Sequence, residues 1–198
     1  TTVSEFKLAS PQDTIRWRVF AQQLQLLEAD GGRIAVQLTG PQSFSYAAGG
    51  TEHSFAITSR STQLELTQAD GRVDRVVATL AGLSAAPATG EPVTATRIQV
   101  TLARAKGAGL IPAQSGLSLQ VEKLVLPPLQ GSALGRTLET LTAEFEVQGA
   151  LSGPRLPADL AAWRQSPDGL LKINRGRFSW GMLNFEADGA IGLDGSAR

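Results

Sequence analysis

The sequence predicts a mostly β protein: curved antiparallel sheets of consecutive hairpins, forming an open groove or a two-sheet sandwich, with one or two short helices. Three observations predict it. Apolar and polar residues alternate with period two through most of the chain, turn-forming pairs such as Asp-Gly separate the alternating runs, and helical spacing is rare. Alternation that leaves one dry face and one wet face is the mark of antiparallel sheets, because parallel sheets are covered on both faces and read as continuous apolar runs.

In chain order, a strand near 17 to 28 leads through Ala29-Asp30-Gly31-Gly32 into 33 to 39, with Ile34, Val36 and Leu38 on one face. Phe44 and Tyr46, Phe55 and Ile57, and Leu64 and Leu66 continue the pattern. Asp70-Gly71 joins 62 to 68 with 72 to 80; Asp and Gly both tolerate the positive φ of a tight hairpin corner. Ile98, Val100 and Leu102, then Leu117, Leu119 and Val121, form two more strands. A longer one sets Leu141, Ala143, Phe145, Val147 and Leu151 against Thr142, Glu144, Glu146 and Gln148. Asn174-Arg175-Gly176 reads as a corner between Leu171/Ile173 and Phe178/Trp180. From 183 to 193, Leu183, Phe185, Ala187, Gly189, Ile191 and Leu193 share a face, so Ala187-Asp188-Gly189 reads as strand with a bulge at the glycine.

The best helix candidate spans 157 to 165, where Pro157 suits an early helical position, Leu160 and Trp163 fall three apart, and Pro167-Asp168-Gly169 ends the pattern. A weaker one, which reads either as helix or as only a turn, runs from Ser132 to about Thr140 through Leu134, Leu138 and Leu141. Loops rich in Ala, Pro and Gly at 84 to 94, 106 to 116 and 127 to 135 are too short for interdomain linkers, so residues 1 to 198 read as one β-rich domain. The opening Thr-Thr-Val and the ending just after a patterned strand suggest a fragment of a longer protein.

Composition narrows the function. With 18 basic and 18 acidic side chains the net charge is zero, which argues against a nucleic-acid partner. The absence of cysteine removes disulfides, thiolate nucleophiles and cysteine-held metals. No apolar run approaches the roughly 20 residues of a membrane-spanning helix.

Catalytic chemistry finds little support. His53 is the only histidine and sits in Gly-Gly-Thr-Glu-His-Ser, which reads as a hairpin tip; a histidine base, triad or metal site would rest on it alone. There is no G-x-S-x-G elbow, phosphate-binding glycine motif or H-E-x-x-H. Glu144/Glu146 and Glu186/Asp188 are close carboxylate pairs, but a spacing of two on a wet strand face is ordinary outer surface. No enzyme, metal or cofactor is expected. Lys172, Arg175 and Arg177 form a basic cluster, read either as a solvated corner or as a contact for anionic lipid headgroups. The dry faces must pack against a second sheet or line a groove for an apolar ligand; pattern alone favours the closed core.

One stretch resembles a known family. Residues 156 to 195 carry a Trp-bearing helical segment (Leu156-Pro157 to Trp163), Asp168-Gly169-Leu170-Leu171-Lys172-Ile173, then Phe178-Ser179-Trp180-Gly181-Met182-Leu183, and Gly189-Ala190-Ile191-Gly192-Leu193-Asp194. This resembles the C-terminal signature of the alphaproteobacterial DUF2125 family, itself similar to the C-terminal part of AsmA-like envelope proteins; Asp168 stands where the family usually has a glycine. The resemblance implies an inner-membrane-tethered protein facing the periplasm, with long curved sheets, and an association with phospholipid movement through apolar grooves. It carries over no catalytic residue, and Trp163, Trp180, Gly181, Gly189 and Asp194 are most simply structural. The expected function is thus a non-enzymatic envelope protein holding or passing on a lipid-like ligand, with Phe145, Val147, Phe178, Trp180, Leu183 and Phe185 on the binding face and Lys172, Arg175 and Arg177 at the headgroup. The alternative is a structural or scaffolding domain with a closed sandwich core that recruits an envelope partner.

Overall fold

The computed structural model describes residues 1–9, 17–30, 32–48, 51–69, 72–104, 115–128, 133–148 and 170–192. The alternating segments form eleven strands: β1 (Thr2–Ala9), β2 (Trp17–Asp30), β3 (Arg33–Ala48), β4 (Thr51–Thr58), β5 (Ser61–Ala69), β6 (Arg72–Pro87), β7 (Val93–Arg104), β8 (Ser115–Val125), β9 (Thr137–Gln148), β10 (Leu170–Trp180) and β11 (Leu183–Gly192). All belong to one antiparallel sheet in chain order. The long β3 and β6 each pair with β5 along one half and with β4 along the other, so β4 and β5 lie end to end in a single place. Eleven strands therefore fill ten positions, and consecutive strands are neighbours except β4 and β5, which share one position. Among the described residues, each strand has another strand's Cα atoms within 8 Å only where the two are hydrogen-bonded neighbours.

A seam of unpaired positions crosses this sheet from β1 to β9. Glu5, Gln22, Gly40–Pro41, Ser59–Arg60, Gly82, Thr96, Lys123 and Glu139 drop out of the ladder while the residues flanking each gap stay paired. Glu5, Gly40, Gly82 and Lys123, on strands that run the same way, adopt φ of 56°, 75°, 60° and 48°. Positive φ in an L residue is unfavourable, so Glu5 and Lys123 are held there by the ladders on either side. The seam lets the chain break period two without turning its apolar residues over. Leu80 and Leu83, Ala95 and Ile98, and Val121 and Leu124 are each three apart, a spacing that regular strand would put on opposite faces, yet all pack into one cluster with Ile57, Leu119 and Leu141. Opposite β9, Phe178 and Trp180 are two apart and pair with Leu141 and Leu138, three apart; the extra residue is the bulged Glu139.

Several local expectations change. The weak helix from Ser132 to Thr140 is not formed: Leu134 lies in a turn and Thr137 onward is strand, because Leu138 and Leu141 straddle the seam and borrow the three-residue spacing of a helix. The stronger candidate, 157 to 165, lies outside the described residues, and among the described residues there is no helix. Asn174-Arg175-Gly176 is a bulge inside β10, not a hairpin corner, since β9 and β11 hold the chain extended on both sides. The bulge expected at Gly189 falls opposite it, on β10. Strand β6 runs on through Pro87 and β7 starts at Val93, so the expected loop at 84 to 94 shrinks to 88 to 92. His53 lies within β4, opposite Tyr46.

The corner that joins β10 to β11 is Gly181-Met182, with Trp180 opposite Leu183 and Gly181 at φ +57. Glycine at the first central position is what a type II′ hairpin turn demands. A Cβ there would also lie 2.8 Å from the Leu134 carbonyl oxygen, which is backbone and cannot swing aside. The Trp180 indole N–H donates to the Gly135 carbonyl at 3.1 Å, so the corner is clamped onto the β8–β9 connection from two sides. Gly181→Ala is expected to destabilise the fold by about 1–3 kcal/mol, the cost of a strained backbone. Gly116→Ala, whose Cβ meets nothing closer than 3.9 Å, serves as the near-neutral control. Urea unfolding of both variants checks this, and equal midpoints would refute it.

Candidate apolar binding face

Residues directly opposite in neighbouring strands share a face, so the register builds rows across the sheet. One row runs through all ten positions. From the middle outward it joins Leu80, Ile98, Val121 and Leu141 to Phe178 and Phe185 on one side, and to Thr62, Leu38, Leu24 and Val3 on the other. Its one polar member, Thr62, is buried and shares a 2.7 Å hydrogen bond with Ser59, which closes the break between β4 and β5. The next row is Leu26, Val36, Leu64, Ala78, Val100, Leu119, Ala143, Gly176 and Ala187. The third includes Ile34, Leu66, Val76, Leu102, Leu117, Phe145 and Ile173. No Asp, Glu, Lys or Arg enters these three rows.

The six residues expected on the binding face lie together on this side. Phe178 and Phe185 stack with ring centroids 5.2 Å apart, Trp180 and Leu183 form the next rung, and Phe145 and Val147 follow towards the other end of β9. Burial is shallow. Leu102, Leu183 and Phe185 are 50%, 42% and 48% exposed, and among the described residues no large side chain is fully buried. A second aromatic group occupies the far side of the seam, where Tyr46 stacks on His53 at 4.9 Å and on Phe55 at 6.2 Å, beside Phe44.

The opposite face is polar by the same register. Gln25, Gln37, Gln63, Thr79, Gln99, Gln120 and Thr142 form a row of uncharged side chains that ends in Arg177 and Glu186. Lys172 stands opposite Glu146 and Arg175 opposite Glu144, while Arg177 donates to both oxygens of Glu186 at 2.9 and 3.0 Å. The basic cluster therefore lies behind the apolar rows, with a carboxylate across from each cation. The close pairs Glu144/Glu146 and Glu186/Asp188 share that wet face. Among the described residues no group of His, Cys, Asp and Glu could hold a metal.

Sequence reasoning missed Ala21, Leu83, Ala95, Leu124 and Leu138, the apolar residues at the seam. A signal was present: Ala21-Gln-Gln-Leu24, Leu80-Ala-Gly-Leu83, Ala95-Thr-Arg-Ile98, Val121-Glu-Lys-Leu124 and Leu138-Glu-Thr-Leu141 repeat one pattern, two apolar residues flanking two others. In four of the five the middle pair is exposed.

The DUF2125 family, described as an uncharacterized protein conserved in bacteria, matches the chain over residues 1–198. The chain belongs to DUF2125. The match covers β1 to β11 as well as the C-terminal stretch whose motifs resemble the family. No curated protein and no solved structure matches this DUF2125 chain.

The Arg177–Glu186 pair is geometrically good, but both side chains are 60% exposed. Glu186→Gln should therefore change stability by only about 0.5 kcal/mol, a difference that shrinks further in molar salt. Chemical denaturation at two ionic strengths checks it; a loss several times larger would mean that the wet face holds the sheet together.

Proposed function

We propose that this DUF2125 protein binds a lipid-like, apolar ligand against the dry face of its sheet, and that it does so without catalysing a reaction. The observation that carries the reading is the set of charge-free apolar rows, one of which crosses all ten strand positions, combined with shallow burial. A dry face covered by a second packed layer normally hides its large side chains completely. Here Leu102, Leu183 and Phe185 keep about half their surface. At roughly 25 cal/mol per Å² of apolar surface, covering such side chains with an acyl chain is favourable without any directional contact. Phe145, Val147, Phe178, Trp180, Leu183 and Phe185 form one end of the proposed surface. Lys172, Arg175 and Arg177 stand on the other face, so the proposal does not depend on them for a headgroup.

The likeness of residues 156 to 195 to AsmA-like envelope proteins supports the rest of the reading: an alphaproteobacterial protein at the periplasmic side of the envelope, tethered to the inner membrane, receiving or passing on phospholipid. The test is native mass spectrometry of protein purified from bacterial membranes, with phospholipid expected to co-purify. Leu102→Lys and Phe185→Lys, which place a charge on the dry face at exposed positions, should lower the lipid-bound fraction several-fold, while Gln99→Lys on the wet face should not. A mass at the formula weight in every preparation would sink the proposal.

A further inference from the structure

Among the described residues the sheet has two outer edges, β1 and β11, and the two differ. An unpaired edge presents free N–H and C=O groups to any extended chain, and proteins usually blunt it with bulges, lysine or proline. β1 carries two such devices, the positive-φ Glu5 that interrupts its ladder and the exposed Lys7. β11 carries neither. Its ten residues contain no proline, lysine or arginine, and the extra residue of the bulge in its hairpin lies on β10, opposite Asp188 and Gly189. Leu183 and Phe185 stand exposed on its dry side, and Glu186 and Asp188 on its wet side.

The central registers in which β11 could pair with a second copy of itself are disfavoured. Antiparallel pairing of β11 with itself about Ala187 would set Glu186 opposite Asp188 twice, and pairing about Glu186 or Asp188 would oppose each to its own copy; like charges directly across a ladder are destabilising. Pairing with β1 of another copy fails for a different reason. β11 starts level with the seam, because Leu183 faces Trp180 and Trp180 faces Leu138, whereas β1 has only Thr2 to Ser4 on that side of Glu5. With the two seams aligned, the overlap is too short for a ladder.

We infer that the outer edge of β11 accepts an extended segment of another protein in which apolar residues alternate with lysine or arginine. The apolar positions would continue the dry rows beside Leu183, Phe185 and Ala187, and the cations would stand across from Glu186 and Asp188. Main-chain hydrogen bonds supply affinity in such strand addition, and the alternating side chains supply choice of partner. The inference is independent of what the dry face holds.

The experiment titrates the full chain with a synthetic peptide in which lysine alternates with valine and phenylalanine, followed by calorimetry and by hydrogen exchange. Saturable binding is expected, with amide exchange slowed in residues 183–192 and unchanged in β1. A peptide with glutamate in place of lysine should bind at least about fivefold more weakly, and Asp188→Lys should weaken the lysine peptide by a similar factor, the size expected when one cross-strand attraction becomes repulsion. Equal binding of the two peptides, or protection spread over other strands, would overturn the inference. So would a concentration-dependent dimer that protects β11 without peptide. If Asp188→Lys unfolds the protein, the comparison of the two peptides on the parent chain still decides.

Discussion

The constraint on which the rest of this structure depends is that apolar side chains must stay on one side of a sheet whose strands are too long to alternate without interruption. β3 and β6 run for sixteen residues each. Ladders of that length accumulate twist, and an irregularity lined up across neighbours gives the chain a place to bend. The seam does this from β1 to β9. On either side of it period two holds, and at it the three-residue step keeps Leu80 beside Leu83 and Val121 beside Leu124. Without the step, the two halves of each strand that crosses the seam would turn their dry sides to opposite faces.

Two features follow from the seam. The buried cluster of Leu83, Ala95 and Val121 sits along it, so the best-packed part of the sheet is also the place where its ladders are broken. Packing there offsets the strain of positive φ at Lys123, beside Val121 and Leu124. The C-terminal hairpin, by contrast, starts at the seam and does not cross it. Trp180 holds it there by donating to the Gly135 carbonyl, and Gly181 leaves room for the Leu134 carbonyl. Its dry side chains have neighbours on one side only, which is why Leu183 and Phe185 remain exposed while Val121, in the middle of the same surface, is buried.

The chemistry of the two faces bears directly on function. A charge-free apolar surface offers a ligand area and no orientation, apart from the hydroxyls of Ser59 and Thr62 and the rings of Tyr46 and His53. The wet face has the reverse character, a line of glutamine and threonine flanked by compensated charges such as Arg33–Glu65 and Arg177–Glu186.

By itself the sequence determined most of the strands and their two-faced character, because alternation and turn residues are local; the order of the strands in the sheet came from their pairing. It also put Phe145 with Val147, Phe178 with Trp180, and Leu183 with Phe185, each pair on one face of its own strand, since parity within a strand needs no partner. Only the tertiary structure decided how the parities of separate segments relate. Whether Leu138 joins Leu141, or Leu83 joins Leu80, depends on a bulge that forms when adjacent ladders impose it. Leu138-Glu-Thr-Leu141 alone reads equally well as a turn of helix. For the same reason Asn174-Arg175-Gly176, with the composition of a corner, became a bulge between β9 and β11, and the basic cluster beside it met its carboxylates. Local residues set what each segment can do, and pairing across the sheet chooses among those possibilities.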